Sequence, residues 1–592
     1  MSVRRMEFVV SVQPQPWPEP SVEVAAAIRA MYGGRRKAPL PVQVRDRLGE
    51  LFCDAEFARA FGVRGKPGWS PGRLALVTVL QKAQDLTDRQ AADAVRDSLP
   101  WKYALGLALD DPGFDHSVLP EFRSRVMAHG LEEKVLDLLV KKLLEDGLLA
   151  AGGKQRTDST HIVSAVRDLN RLELVGESVR ACLEAVTSAA PHWVDEVLQV
   201  GEWSRRYAQR IDTWRLPSAK TKKEELALHY GQDGFTLLGA LYAPASPPWL
   251  RELPAVQVLR TVLLQNYTRA TVRGGREVVK RRGSDIDTEG GLPPGHRRLA
   301  SPYDTDARRS AKRDTFWLGY KLHVSENCTA PGSGSHGPTA TGRPATVDTQ
   351  RPNLITNVTT TDATVPDTRA LTPIHQSLKR RGLLPAEHYL DSGYPSAALL
   401  VESAKTFGVA LITPVLLDNS RQAKENNGFA THDFTLDFNA ERATCPAGQE
   451  SASWSPCTQA GVERIVVTFA RDTCRPCPMR SQCTTSAAGR RQLSVNPREM
   501  SEAIALARAQ QETKDWRKDY ALRAGVEGTI RQATDVTGLR RARYRGLAKT
   551  HLDHVTSATA LNLIRLVAWW NGRPLDRGHT SHLARLELSL AT

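Results

Sequence analysis

Three acidic residues in distant parts of the chain have settings suited to metal binding. Asp158 lies in the strand-like stretch KQRTDSTHIVSAV, and Asp391 ends a shorter one in EHYLDSGY. The segment YALRAGVEGTIRQ places Tyr520, Arg523 and Glu527 on one face of a predicted helix, at spacings of three and four residues. Carboxylate oxygens are the ligands that hard cations such as Mg²⁺ prefer. Asp, Asp and Glu in this order predict a metal-dependent phosphoryl-transfer site.

Three carboxylates can support phosphodiester cleavage through two divalent ions. Two Mg²⁺ or Mn²⁺ ions held ~3.5–4 Å apart activate water or a 3′-hydroxyl on one side and stabilise the leaving oxygen on the other. We expect Asp158 to bridge both ions, Asp391 to complete one site and Glu527 the other. An Asp at a strand end is often a cap or turn former, so rival carboxylates stay open, Asp306 foremost. The four rivals are Asp304, Asp306, Asp362 and Asp367.

Four motifs together carry a resemblance to a known family. They are DSTHI, LDSGY, the segment with Tyr520, Arg523 and Glu527, and the RRARYRGLAKTHL that follows. Over roughly residues 45–575 the chain resembles a bacterial insertion-sequence transposase of the DDE superfamily. The resemblance implies an RNase H-like fold and an enzyme that first hydrolyses a DNA strand at the transposon end. The freed 3′-hydroxyl then attacks another phosphodiester, without a covalent protein nucleophile.

The resemblance also implies roles for residues around Glu527. Many members carry a Lys seven residues after the Glu; here that position is Thr534, and Arg531, one turn past Glu527, is the candidate to replace it. Tyr520 and Arg523 are expected to contact phosphates or to orient Glu527. Two other classes stay open, a descendant that binds DNA without cleaving it and a metal-dependent nuclease without strand transfer. Intact acids at all three positions argue against the first.

Positive charge is concentrated near the candidate site. The net charge is +15; residues 260–321 hold 14 Lys or Arg against 7 Asp or Glu, and residues 514–549 hold 10 against 4. Clustered cations near aromatic residues are typical of a polyanion partner, because neutralised phosphates release condensed counterions. We therefore expect binding to double-stranded DNA, with a solvated basic surface as the alternative. The candidate DNA contacts are Tyr520, Arg523, Arg531, Arg540, Arg541, Arg543, Arg545 and Lys549.

Five of the eight cysteines fall between residues 445 and 483. Because the chain is large and shows no signal peptide, they do not indicate a secreted disulfide framework. Four thiolates at this spacing suit a structural Zn²⁺ site, with unliganded thiols or a redox role as alternatives. The expected ligands are Cys445, Cys474, Cys477 and Cys483, with Cys457 as the spare. The remaining three, Cys53, Cys182 and Cys328, are predicted to be buried apolar residues.

The order of the predicted elements indicates an α/β chain. An all-helical N-terminal domain precedes an RNase H-like mixed-sheet catalytic core with helical and Cys-rich insertions, and a long helix is predicted from about residue 497 through Glu527. Residues 328–350, rich in Gly, Ser, Thr and Pro, are predicted to form a flexible loop. We divide the chain into an extended arm (1–44), a helical DNA-binding domain (45–148), a catalytic domain (149–575) with insertions at 167–310 and 415–496, and a tail (576–592).

The N-terminal helices are the candidates for reading DNA sequence. The stretch from Thr87 through Trp101 to Leu107 has the proportions of a helix-turn-helix, although any small helical bundle offers the same pattern. No run approaches the ~20 apolar residues of a membrane helix. We therefore expect a cytoplasmic, nucleoid-associated bacterial protein that acts as a homodimer on transposon terminal inverted repeats and on target DNA.

Overall fold

The computed structural model describes residues 10–34, 37–62, 64–271, 277–284, 291–312, 314–328, 351–416, 422 and 428–572. The predicted tail lies outside the described residues, as does the predicted loop from residue 329 onward. No helix within the described ranges is long and apolar enough to cross a membrane.

The N-terminal region is helical, as the apolar periodicity predicts. Thr87 and Gln90 form a reciprocal capping box at the start of one helix. Pro100 lies in the first turn of the next helix, where its missing N–H costs no helical hydrogen bond. The helices are Val22–Tyr32, Leu40–Leu48, Pro71–Ala83, Asp88–Asp97, Leu99–Leu105, Val118–Ala128 and Lys134–Glu145, with a 3₁₀ turn at Asp54–Ala60 and the short paired strands β1 (Val10–Ser11) and β2 (Lys66–Pro67).

The segment interpreted as an extended arm contains the helix Val22–Tyr32, which differs from our expectation. Ser21 caps this helix by accepting a hydrogen bond from the Val24 amide. Val24 and Ile28, four residues apart, are buried in a small core with Val42. Burial of this apolar face outweighs the extended preference of the Pro-rich sequence before it.

A mixed sheet forms the centre of the molecule. Strand β7 pairs antiparallel with β3, β6 and β8, while β9 runs parallel to β3 and β10 parallel to β9. The resulting order is β10-β9-β3-β7-β6, with β8 also on β7. The fold class is therefore the predicted one, a mixed α/β core consistent with an RNase H-like sheet. The strands are β3 (Lys154–Val163), β6 (Arg308–Lys312), β7 (Thr315–Cys328), β8 (Ile355–Asp362), β9 (Glu387–Tyr389) and β10 (Ala410–Ile412).

Two insertions each have a hydrophobic core of their own. The helical insertion buries side chains such as Val179, Leu237 and Leu259. The Cys-rich insertion buries Phe434 and Val467. The helical insertion contains Arg171–Ala189, Pro191–Val197, Val200–Tyr207, Lys220–Leu241 and Pro254–Asn266, with the hairpin β4 (Tyr267–Thr271) and β5 (Glu277–Arg281). The Cys-rich insertion contains β11 (Thr435–Asp437), β12 (Arg442–Thr444), β13 (Ser453–Gln459), β14 (Val462–Thr468), β15 (Gln492–Val495) and the helical turns Arg471–Cys474 and Arg480–Cys483.

The long helix predicted through Glu527 is divided into shorter pieces. Thr513 accepts a hydrogen bond from the Trp516 amide and so caps a new helix within the predicted one. Tyr520 and Glu527 are consequently separated by a 3₁₀ turn and do not share one continuous α-helix. The helices in this half of the molecule are Leu371–Arg380, Ala397–Glu402, Arg498–Gln511, Lys514–Tyr520, Gly525–Thr537 and Leu547–Trp570, with 3₁₀ turns at Asp367–Arg369 and Ala521–Ala524.

The last helix joins the N-terminal region to the sheet. Apolar side chains of this helix, from Leu552 to Leu566, belong to the same continuous core as the N-terminal helices and the sheet. Lys82 forms a buried ion pair with Asp553 across this contact. The sheet that carries the candidate site is therefore supported from behind by the N-terminal helices.

Candidate active site

Strand β3 places Asp158 at the centre of the sheet. Its side chain is 10% exposed, and its Oδ2 accepts a hydrogen bond from Arg523 Nη2 at 2.7 Å. Its Oδ1 accepts one from the Ser159 amide at 2.7 Å. A carboxylate held on both oxygens has a fixed orientation, as a catalytic ligand requires.

Asp391 lies beside Asp158 because of the strand register. Lys154 on β3 is level with Glu387 on the parallel strand β9, and Arg156 is level with Tyr389. The same register, continued beyond β9, brings Asp391 level with Asp158. Burial raises the pKa of Asp391, and the negative charges of Asp158 and Asp367 add to this effect. Such a concentration of negative charge is what a divalent cation would compensate.

Arg523 connects Asp158 to Glu527. Its Nη1 donates to Glu527 Oε1 at 3.1 Å, and the Glu527 side chain is 60% exposed. Burial alone would lower the pKa of Arg523, but the charge and hydrogen bond of Asp158 raise it above its usual range. Tyr520 stacks on Trp516 with ring centroids 4.7 Å apart and donates its hydroxyl to the Leu390 carbonyl at 3.2 Å. Arg523 thus bonds two of the three predicted acids, and the third, Asp391, is close enough to feel the charges of Asp158 and Arg523.

The acids fit a divalent cation by donor chemistry, although their present arrangement is closed by Arg523. Among the described residues, no group of three or more His, Cys, Asp or Glu side chains is arranged to hold a metal ion. The Arg523 guanidinium pairs with both Asp158 and Glu527, so a positive charge already lies between these two carboxylates.

Three of the four rival carboxylates have structural partners away from the predicted acids. Asp304 accepts hydrogen bonds from Tyr320 and Ser164, and it is buried. Asp306 accepts one from the Leu547 amide, at the start of the last helix. Asp362 closes a turn with Thr364. The fourth, Asp367, lies near the candidate site.

The predicted substitute for the missing Lys lies away from the acids. Arg531 is 85% exposed and pairs with Asp535 at 3.8 Å. Thr534 donates its hydroxyl to the Ile530 carbonyl of its own helix. Neither side chain reaches the acids, so a role for Arg531 there is not supported by this geometry.

The basic segment after the helix Gly525–Thr537 is a loop whose cations have different settings. Arg540 donates to Thr160 on β3 at 2.7 Å, and Arg543 pairs with Asp85 of the N-terminal region. Arg541 and Lys549 are exposed. Arg545 is also exposed, with its guanidinium 5.8 Å from the ring centroid of Tyr303.

The four predicted zinc ligands lie in one part of the Cys-rich insertion. Burial raises the pKa of Cys483, and the Arg491 charge opposes this, while Cys474, Cys445 and Cys477 add to it. The thiols are therefore close enough to interact, but in the described ranges neither they nor any other group of three or more such side chains is arranged to hold a metal ion. The zinc prediction has no support from this arrangement. The isolated Cys182 and Cys328 are buried, as predicted, whereas Cys53 is only half-buried.

The candidate site thus combines two neighbouring aspartates on a mixed sheet with an arginine from a 3₁₀ turn and a glutamate from the helix that follows it. Comparison with protein families makes this more specific. Residues 444–567 match the family described as "Transposase DDE domain", and residues 35–125 match "Transposase domain (DUF772)". Over these two segments, the matches confirm the resemblance to an insertion-sequence transposase of the DDE superfamily. No curated protein and no solved structure matches the chain.

The matched segments cover Glu527 but neither aspartate. Glu527 lies inside residues 444–567, whereas Asp158 and Asp391 lie between the two matches. The roles of these two aspartates therefore depend on their motifs and on the strand register.

Proposed function

We propose that the protein cleaves DNA at the ends of an insertion sequence and joins the freed 3′-hydroxyl to a second phosphodiester. The convergence of Asp158, Asp391 and Glu527 around Arg523 is the observation that carries this proposal. These acids come from a strand, the end of its parallel neighbour and a helix, and so approach one point from three directions.

Asp158, Asp391 and Glu527 would hold the divalent ions, Mg²⁺ or Mn²⁺. When bound, the ions supply an activated oxygen nucleophile and neutralise the leaving oxygen. The side chain of Arg523 would leave its bridging position and become free to contact a phosphate. Because Glu527 is exposed, its side chain can turn toward Asp158 without unfolding the helix.

The substrate in this proposal is double-stranded DNA, as terminal inverted repeats and as target. The exposed side chains of Arg541, Arg545 and Lys549 come after the helix that carries Glu527 and can contact the phosphates of the DNA backbone. The N-terminal helices would distinguish transposon ends from other DNA, and a homodimer would bring two ends together. Such a protein would act in the bacterial cytoplasm, at the nucleoid.

The test is incubation of the protein with Mg²⁺ and a DNA fragment that carries the flanks of its own gene. Strand breaks at inverted repeats, followed by products joined to a second DNA, are the expected result. Breaks without joining would indicate a nuclease, and binding without breaks would indicate an inactive descendant.

A further inference from the structure

The fourth rival carboxylate, Asp367, lies in a polar network behind the candidate site. It begins the 3₁₀ turn after β8, and its side chain is 13% exposed. Its Oδ1 accepts a hydrogen bond from Lys321 Nζ at 3.1 Å, and its Oδ2 accepts one from the Ser159 hydroxyl at 2.9 Å. Lys321 also donates to the Val365 carbonyl at 2.8 Å, so the ammonium is fixed.

Ser159 connects Asp367 to Asp158. The Ser159 hydroxyl donates to Asp367, while its backbone amide donates to Asp158 Oδ1 at 2.7 Å. A change in the position of Ser159 would therefore change the orientation of the Asp158 carboxylate. Asp367 holds Ser159 in place by accepting the hydrogen bond of its hydroxyl.

Gly393 connects Asp367 to Asp391. A methyl group on Gly393 would lie 3.1 Å from Asp391 Oδ1 and 3.3 Å from Asp367 Oδ2. The two carboxylates thus border the same small space beside Gly393, and a larger side chain there would crowd both. The Gly393 amide donates to Asp391 Oδ1 at 2.9 Å.

Tyr394 lies next to the same group of carboxylates. Burial and the charges of Asp367, Asp158 and Asp391 raise the pKa of Tyr394, whose hydroxyl bonds to His323 Nδ1 at 2.6 Å.

We propose that Asp367 is a positioning residue of this site, which orients Asp158 through Ser159 and borders Asp391 across Gly393. Lys321 balances its charge, so that a further carboxylate can lie next to two others. Partners that orient metal ligands typically change metal affinity 10–100-fold when they are replaced. The inference rests on the proposed function only in taking the aspartates as the metal ligands.

The experiment measures Mn²⁺ affinity of the full chain by calorimetry, and cleavage of transposon-end DNA as a function of Mg²⁺ concentration. We expect Asp367→Asn to weaken Mn²⁺ binding by roughly 10–100-fold and to raise the half-saturating Mg²⁺ concentration, with unchanged DNA affinity. Asp362→Asn is the matched control, because within the described residues this carboxylate bonds only to Thr364 of its own turn, and the change should leave both values unchanged.

Ser159→Ala removes the link and keeps the charge of Asp367. It should also weaken Mn²⁺ binding, and it keeps the test available if Asp367→Asn fails to fold. An Asp367→Asn protein with the Mn²⁺ affinity and Mg²⁺ dependence of Asp362→Asn would overturn the inference. A parent that binds Mn²⁺ at the aspartates but does not cleave DNA would overturn the proposed function alone.

Discussion

The two sides of the candidate site are built differently. On the sheet side, Asp158 and Asp391 are held by strand register and by backbone amides. On the helix side, Glu527 is exposed, and within the described part of the chain its side chain is bonded to Arg523 alone. The aspartates are thus placed by the fold itself, whereas the position of Glu527 depends on how its helix is fastened to the sheet.

A buried charged cluster fastens that helix. Arg156, two residues before Asp158, donates to the Leu522 carbonyl at 2.6 Å and to Glu326 at 2.7 Å. Glu326 is fully buried and accepts the Thr529 hydroxyl at 2.6 Å. Leu522 and Thr529 lie on either side of Arg523 and Glu527 in the sequence, so the cluster fixes the segment between them. Arg565, from the last helix, completes the pairing of Glu326.

The largest effect should come from the acids themselves. Asp158→Asn, Asp391→Asn and Glu527→Gln should each lower cleavage by several orders of magnitude, because in the proposed mechanism each change removes a metal ligand. DNA affinity should stay near that of the parent, since the basic contacts remain. Cleavage rates and filter binding on transposon-end DNA measure the two effects. A variant that cuts as well as the parent would remove that residue from the site.

A smaller, specific loss should follow when the helix is pushed from the sheet. A methyl group at Gly525 would lie 2.1 Å from the Arg156 guanidinium, whereas at Gly528 nothing lies within 4 Å. Gly525→Ala should therefore lower cleavage by roughly 10²-fold, the usual cost of a displacement of about 1 Å. Gly528→Ala, on the same helix, is the control. Equal rates for the two variants would show that Arg156 does not set the position of Glu527.

The ion pairs of Glu133, in the N-terminal region behind the sheet, should make the free energy of unfolding depend on pH. Burial would raise the pKa of Glu133, but His551, Arg381 and Arg380 lower it to about 2. A carboxyl with a depressed folded pKa stabilises the fold above its unfolded pKa, and this stabilisation is lost as pH falls toward about 2. Glu133→Gln should cost up to about 3 kcal/mol at neutral pH and less below about pH 4. Urea unfolding at pH 7 and pH 3 measures the difference, and an equal cost at both values would contradict it.

The sheet side and the helix side of the site also differ in how far the sequence predicts them. Alternating strands and short motifs locate Asp158 and Asp391 along the chain, whereas the pairing of β3 with β9 that brings them together joins residues far apart in the sequence. The helix side was harder: a period of three and four residues predicts one helix for Tyr520 and Glu527, but the Thr513 cap and the bond from Arg156 to Leu522 divide it. Such long-range bonds leave no local pattern. The role of Asp367 likewise depends on Ser159, 208 residues away.

The smallest effect concerns DNA affinity at the basic loop, and it separates exposed from anchored cations. Arg541 and Arg545 are exposed, whereas Arg543 is held by Asp85 and by the Leu86 carbonyl. Replacing both Arg541 and Arg545 with Ala removes up to two phosphate contacts, so the slope of log K against log salt should flatten by up to ~1.8 for duplex DNA. Binding should weaken alike for all sequences, because backbone contacts carry no sequence information.

Arg543→Ala is the matched control from the same loop. It should leave the salt slope unchanged and lower the thermal stability instead, since its guanidinium bonds within the protein. Fluorescence anisotropy at several salt concentrations, on transposon-end and random duplexes, measures the slopes. If the double variant kept the parental slope, Arg541 and Arg545 would be ordinary surface residues. The DNA would then have to contact a different surface near the helix side of the site.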